Sequence, residues 1–195
     1  MRARLTSIAS CLALGGAALG AVGLGACGGA PPRRERVPRP CVPIAWIDEV
    51  RGSLAVQYLP LGSDAWLALD LPSLHTVLYG QDRLAGLGVR RGDRHVLVPP
   101  LFGSMPHELE VTAQPELPFA AGGQPGFLVG RMGRESIDER VVEIDTARML
   151  MCDRYADEVS DVALRDDEDA LDGPFRGRHI LVSVDHGRAR VGDVR

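Results

Sequence analysis

The chain has 195 residues, with 26 acidic and 22 basic side chains, a formal charge of −4 and 45% apolar residues. That apolar share, beside 25% charged residues, is the composition of a globular chain and excludes general disorder. Every basic residue is Arg and Lys is absent, which together with abundant Ala and Gly reads as coding bias and not as chemistry. Charge is unevenly spread: Gly28 to Pro40 carries +3, whereas the remainder from Cys41 carries −9. An acidic body offers no positive face to phosphates, so nucleic acid is excluded as its partner.

The first segment, MRARLTSIASCLALGGAALGAVGLGAC, has a positive start at Arg2 and Arg4, an apolar middle from Leu5 to Ala26, and small residues before a cysteine. These are the three parts of an export signal. The middle is long enough to span a bilayer, but its Gly and Ala content makes it a weak permanent anchor. The ending Leu24-Gly25-Ala26-Cys27 resembles the lipobox of bacterial lipoproteins, a likeness confined to the leader. The resemblance implies a diacylglyceryl group on the Cys27 thiol, cleavage after Ala26, and acylation of the new amino terminus. Several acyl chains, at ~0.8 kcal/mol per buried CH₂, then hold the protein on a membrane. Gly28 stands where Asp would resemble an inner-membrane retention signal, so the resemblance points to the cell envelope and to the outer membrane where there are two. An ordinary signal peptide cut at an Ala-x-Ala-like site and an uncleaved anchor are the alternatives. Cys11, with little apolar sequence before it, leaves with the leader.

The expected organisation is therefore a signal peptide over 1–26, a lipidated Cys27 with its tether over 27–40, and a β-rich domain over 41–195. Gly28 to Pro40, GGAPPRRERVPRP, is rich in Pro and Gly and reads as an extended, Pro-stiffened tether. Its Arg33, Arg34, Arg36 and Arg39 suit anionic headgroups at ~1 kcal/mol each, or simply water. Two cysteines are left in the body of an exported chain, Cys41 and Cys152, and they are expected to form a disulfide pinning the chain's entry to a later strand. A buried free thiol at Cys152 is the other reading.

From Cys41 onward no sustained 3.6-residue apolar period appears. Short runs rich in aliphatic and β-branched residues follow one another: Ile44–Asp48, Leu54–Leu59, Ala65–Leu71, His75–Tyr79, His95–Val98, Glu108–Thr112, Gly126–Gly130, Arg140–Asp145, Val159–Leu164 and His179–Val184. Turn chemistry separates them, as at Arg51-Gly52-Ser53, Arg91-Gly92-Asp93, Gly122-Gly123 and Asp185-His186-Gly187. The spacing predicts an all-β body.

The body also compares with itself. Trp66 to Asp93, shifted by 75 residues, faces Val141 to Glu168, setting Asp70 on Asp145, Asp82 on Asp157 and Arg90 on Arg165. After a nine-residue insertion, Arg94-His95-Val96-Leu97-Val98 faces Arg178-His179-Ile180-Leu181-Val182. A strand ending in an apolar residue and Asp, then a turn and a second strand, as in Val141 to Met151, resembles blades of WD40 or YVTN β-propellers. That resemblance implies a small repeat body, with each Asp accepting backbone N–H bonds in its turn. A body of this length holds three to four such blades at ~40–45 residues each. A small sandwich or barrel, or a partial propeller completed by a partner, is the other architecture these runs allow.

No residue is nominated as catalytic, cofactor-binding or metal-ligating. His75, His95, His107, His179 and His186 form no spaced ligand pair, and His107-Glu108 and Asp185-His186 are adjacent strand neighbours that point oppositely. Arg165 to Gly173, RDDEDALDG, misses the EF-hand spacing and reads as a solvated loop. Ser104 lacks a Gly-x-Ser-x-Gly elbow, and Ala120 to Gly126 lacks the Lys of a phosphate loop. Two functions are carried forward. One is a membrane-anchored lipoprotein with a binding or scaffold β-domain for a protein or glycan; the other is an envelope enzyme, such as a hydrolase, with an unrecognised site.

Overall fold

A computed structural model describes residues 39–90, 92–103, 105–159, 162–166, 171 and 174–194. Leader, lipobox, most of the tether, Ser104 and most of the acidic run after Asp166 lie outside these residues.

The body is all-β. Its strands are β1 (Cys41–Asp48), β2 (Ser53–Gln57), β3 (Ala65–Leu69), β4 (Val77–Leu78), β5 (His95–Val98), β6 (His107–Val111), β7 (Leu117–Ala121), β8 (Gln124–Met132), β9 (Arg140–Asp145), β10 (Leu150–Arg154), β11 (His179–Asp185) and β12 (Arg188–Asp193). One helical turn, α1 (Gln81–Leu84), and short 3₁₀ turns complete it, and among the described residues no helix is long and apolar enough to cross a membrane. The strands lie on one continuous path, β12-β11-β9-β10-β1-β2-β3-β8-β4-β6-β5, with β7 branching from β8. β1 joins two wings. Its first residues, Cys41 to Pro43, pair with β10, and its later residues, Ile44 to Asp48, pair with β2 on the other edge.

Alternation along the strands builds the core. In β1 the buried Val42 and Ile44 alternate with the exposed Cys41 and Pro43, and β12 alternates Arg188, Ala189, Arg190, Val191 in the same way. The buried side chains make one contiguous cluster running from Val96 and Val98 of β5, through Leu54, Leu67, Val129 and Ile144, to Val182 and Val191. Both wings thus turn their apolar faces to a common interior, a sandwich-like arrangement. Full burial of each Leu, Ile or Val contributes about 1.5–3 kcal/mol, far more than any surface ion pair. A smaller cluster, Ala45, Ala55, Trp66 and Leu128, lies on the opposite face of the β1-β2-β3-β8 wing, with Phe119 and Ala121 of β7 packed against it.

The two self-similar segments keep their order of elements but pair differently. In the second, β9 and β10 form a hairpin, and Asp145 Oδ1 accepts the N–H groups of Ala147 (2.9 Å) and Arg148 (3.0 Å), the turn device expected of it. In the first, β8 lies between β3 and β4, parallel to one and antiparallel to the other. Seven residues, Asp70 to Thr76, separate these strands. That segment is held by Glu135, whose Oε1 accepts the Thr76 N–H (2.6 Å) and whose Oε2 meets His75 Nδ1 (3.0 Å). β4 can approach β8 so closely because residue 130 is Gly: a Cβ there would meet the Val77 carbonyl oxygen.

Among the described residues of the run 159–164 none is in a strand. Val159 ends a 3₁₀ turn, Val162 and Leu164 lie against Gly192, and Arg165 forms an isolated antiparallel bridge with Val191 of β12. β7 and β12 are strands that the apolar runs do not mark.

Candidate functional site

Both tryptophans of the chain line one cleft. β1 contributes Ile44, Ala45 and Trp46; β3 contributes Trp66; the tip of the β7–β8 hairpin contributes Ala120 to Gly123; Met149 and Glu49 complete the wall. The volume is about 580 Å³, within the ordinary range of ligand pockets. The hairpin closes with a two-residue turn, Ala121 facing Gln124, and Gly122 (φ 56°) and Gly123 (φ 84°) supply its left-handed backbone.

Each aromatic is positioned by its surroundings. Trp66 is 8% exposed and meets Phe119 edge-on, with ring centres 5.8 Å apart. Its indole also rests on Gly126, where an added Cβ would come within 3.0 Å of the ring. Trp46 is half-buried and packs on the main core beside Met149. Met149 ends the β9–β10 turn with φ 55°, a left-handed backbone that costs a side chain of this kind about 1–3 kcal/mol. The Ile44 N–H donates to the Met149 carbonyl (3.0 Å) and ties that strained residue to the cleft. Glu49 stands at the rim, 61% exposed, 3.7 Å from Arg176.

The charged clusters lie elsewhere and are largely self-satisfied. Glu143 is nearly buried, with His179 Nε2 on one carboxylate oxygen and Arg154 on the other. Beside this pair a space of about 340 Å³ is lined by Glu158, Val159, Val162, Leu181 and Val194. Burial opposes ionisation of the neighbouring Asp145, but N–H bonds from Arg148 and Ala147, with the charges of His179 and Arg148, outweigh it and hold the carboxyl below the usual aspartate range. Asp153 is 2% exposed; its Oδ2 accepts Arg39 Nη1 (2.5 Å) and Arg140 Nη1 (3.0 Å). Its buried Oδ1 has no hydrogen-bond partner among the described residues. The Arg39 guanidinium also lies 3.8 Å from the Tyr155 ring centre. Arg83 bridges Asp64 (2.8 Å) and Glu116 (3.0 Å), and its hydrogen bonds to Asp64 hold that carboxyl low.

Of the residues singled out in the sequence, Cys27 lies outside the described residues. Cys41 and Cys152 are disulfide-bonded. His179 meets Glu143, whereas its counterpart His95 is exposed on β5 opposite Glu110, so the self-comparison does not carry over to their partners. His107 lies on β6 with a buried Nε2 that has no hydrogen-bond partner among the described residues, and His186 sits at φ 48° in the β11–β12 turn. Sequence reasoning passed over the cleft, although both tryptophans stood inside strand-like runs. The available signal was their rarity. No protein family, curated protein or solved structure matches the chain.

Proposed function

We propose that this protein is a cell-envelope lipoprotein, anchored to a membrane through lipidated Cys27, whose β-body is a binding module with the tryptophan cleft as its receiving site. One observation carries the binding reading: both tryptophans converge, from strands β1 and β3, on one open cleft walled by apolar and small residues. Exposed aromatic surface costs solubility, and where it is concave and rimmed by polar groups it suits ligand capture. The lipobox-like leader and the Arg-bearing tether support the anchoring half, and a disulfide suits an oxidising, exported compartment. The receiving partner is a protein, a glycan or a smaller molecule outside the membrane, and not a nucleic acid.

The anchoring half is tested by acyl-chain labelling of wild type and Cys27→Ala; labelling lost in the variant is expected, and equal labelling of both overturns it. The binding half is tested by a fragment screen read by ligand-observed NMR on the folded body. Hits abolished by Trp46→Ala support it; hits indifferent to that change remove it.

An enzyme, such as a hydrolase, is the second reading, and the Glu143–His179 pair beside its small space is what favours it. Ester or glycoside turnover that disappears in His179→Gln would favour that reading over simple capture.

A further inference from the structure

We infer that the tryptophan cleft selects small cations: an ammonium or guanidinium carried on an apolar body. This rests on the binding reading above and names the ligand class for the same site. Among the described residues lining the cleft, Glu49 alone is ionisable; the rest are indole, aliphatic, thioether, alanine and glycine.

Each alternative class fits these walls poorly. A polyol or saccharide needs donors and acceptors for most of its hydroxyls, and a wall with one carboxylate leaves them unpaired at a cost in affinity. An anion meets Glu49 and a body whose formal balance is −9. A neutral apolar ligand gains burial but nothing from the carboxylate. A cation on an apolar body gains burial, the π surface of the half-buried Trp46 and Glu49 together. Trp46, the more exposed of the two indoles, offers the platform, while Trp66 is held edge-on by Phe119.

Glu49 is free to change partners. Its present contact, Arg176 at 3.7 Å, joins side chains 61% and 63% exposed, a pairing that contributes little and exchanges readily with water or a ligand. Gly122 and Gly123 at the hairpin tip have open space where a Cβ would stand, so the roof presents bare backbone to an entering ligand.

The test titrates the folded body with benzyltrimethylammonium, benzyl alcohol and benzoate, following the two indole N–H resonances. The ammonium is expected to bind about tenfold tighter than the neutral alcohol, with benzoate weakest. Glu49→Gln is exposed enough to leave folding intact; it should weaken the ammonium about threefold and leave the alcohol unchanged. Equal affinity for ammonium and alcohol, with both indoles shifting, overturns the selectivity and leaves the binding cleft standing. No shift of either indole with any of the three probes overturns both.

Discussion

Cys41 and Cys152 are bonded across a directly opposed pair of β1 and β10, with their Cα atoms 4.0 Å apart and a sequence separation of 111. The hydrogen bonds on either side run from Asp153 N to Pro40 O and from Ile44 N to Met149 O. The cysteines therefore occupy a non-hydrogen-bonded site, where antiparallel strands approach most closely.

Removing that bond frees a long loop in the unfolded chain. Cys41→Ser with Cys152→Ser, or reduction of the wild type, should lower unfolding free energy by up to about 4–5 kcal/mol on the chain-entropy account. Denaturant titration with and without reductant reads it. A change below about 1 kcal/mol would show that the Arg39–Asp153 contact and the sheet already hold the chain's entry.

Asp153 neutralises two guanidinia that reach water only in part, Arg39 at 30% and Arg140 at 25% exposure. Asp153→Ala should cost about 3 kcal/mol, the low end for breaking a buried ion pair, because both arginines can partly rehydrate. Arg39→Ala leaves Arg140 in place and should cost about 1 kcal/mol. Equal losses in the two variants would place the energy in Arg39 alone.

Asp64 and Asp145 both have carboxyls held below the usual aspartate value of 3.8. A depressed folded-state value contributes stability that is complete above the unfolded value and is lost as pH falls through the folded one. Unfolding free energy should therefore be level above about pH 5 and decline below about pH 4, with Asp145→Asn flattening that decline. Tyr58 works in the opposite direction. Burial pushes its hydroxyl upward, so its contribution is complete below about pH 10 and is lost above it. Tyr58→Phe, which also removes the hydrogen bond to the Pro99 carbonyl (2.6 Å), should blunt the alkaline loss. Denaturation midpoints across the pH range check both limbs.

Met149 allows backbone strain to be separated from packing. Met149→Ala loses the thioether and keeps a side chain at φ 55°; Met149→Gly loses the thioether and relieves the backbone. The glycine variant should be the more stable of the two by about 1 kcal/mol, although glycine is usually the less stable. Both should weaken ligand binding in the cleft alike, since each removes the same wall. A glycine variant no more stable than the alanine variant would mean that the turn carries no strain at that residue.

These residues also mark what the primary structure could reveal. Runs such as Leu54–Leu59 and His179–Val184 announced strands because a half-buried sheet needs β-branched and aliphatic residues in short bursts. β12 escaped notice because its outward positions are Arg188 and Arg190, whose charge hides the alternating Ala189 and Val191. β7 escaped because Pro118 and two alanines have low strand propensity; what makes it a strand is pairing with β8. Val159–Leu164 misled in the other direction: Val159 and Val162 are only half-buried, and Val162 lies against Gly192 of β12 without belonging to a strand. The cleft needed the fold itself, as residues near 46, 66, 122 and 149 meet only after β1 has joined the two wings. Asp145 was legible as a turn acceptor from its local pattern, whereas its counterpart Asp70 fell in a segment that β8 had parted.

The position of β1 also bears on mechanics. A strand at a sheet edge is paired on one side only, so a pull on it is resisted by a single ladder of hydrogen bonds. Here β1 lies inside the strand path, so under the proposed anchoring a pull along the chain towards Cys41 would meet the Arg39–Asp153 ion pair and then the Cys41–Cys152 bond. Load entering there would fall on β10 and β2 together, through the one strand that pairs with both.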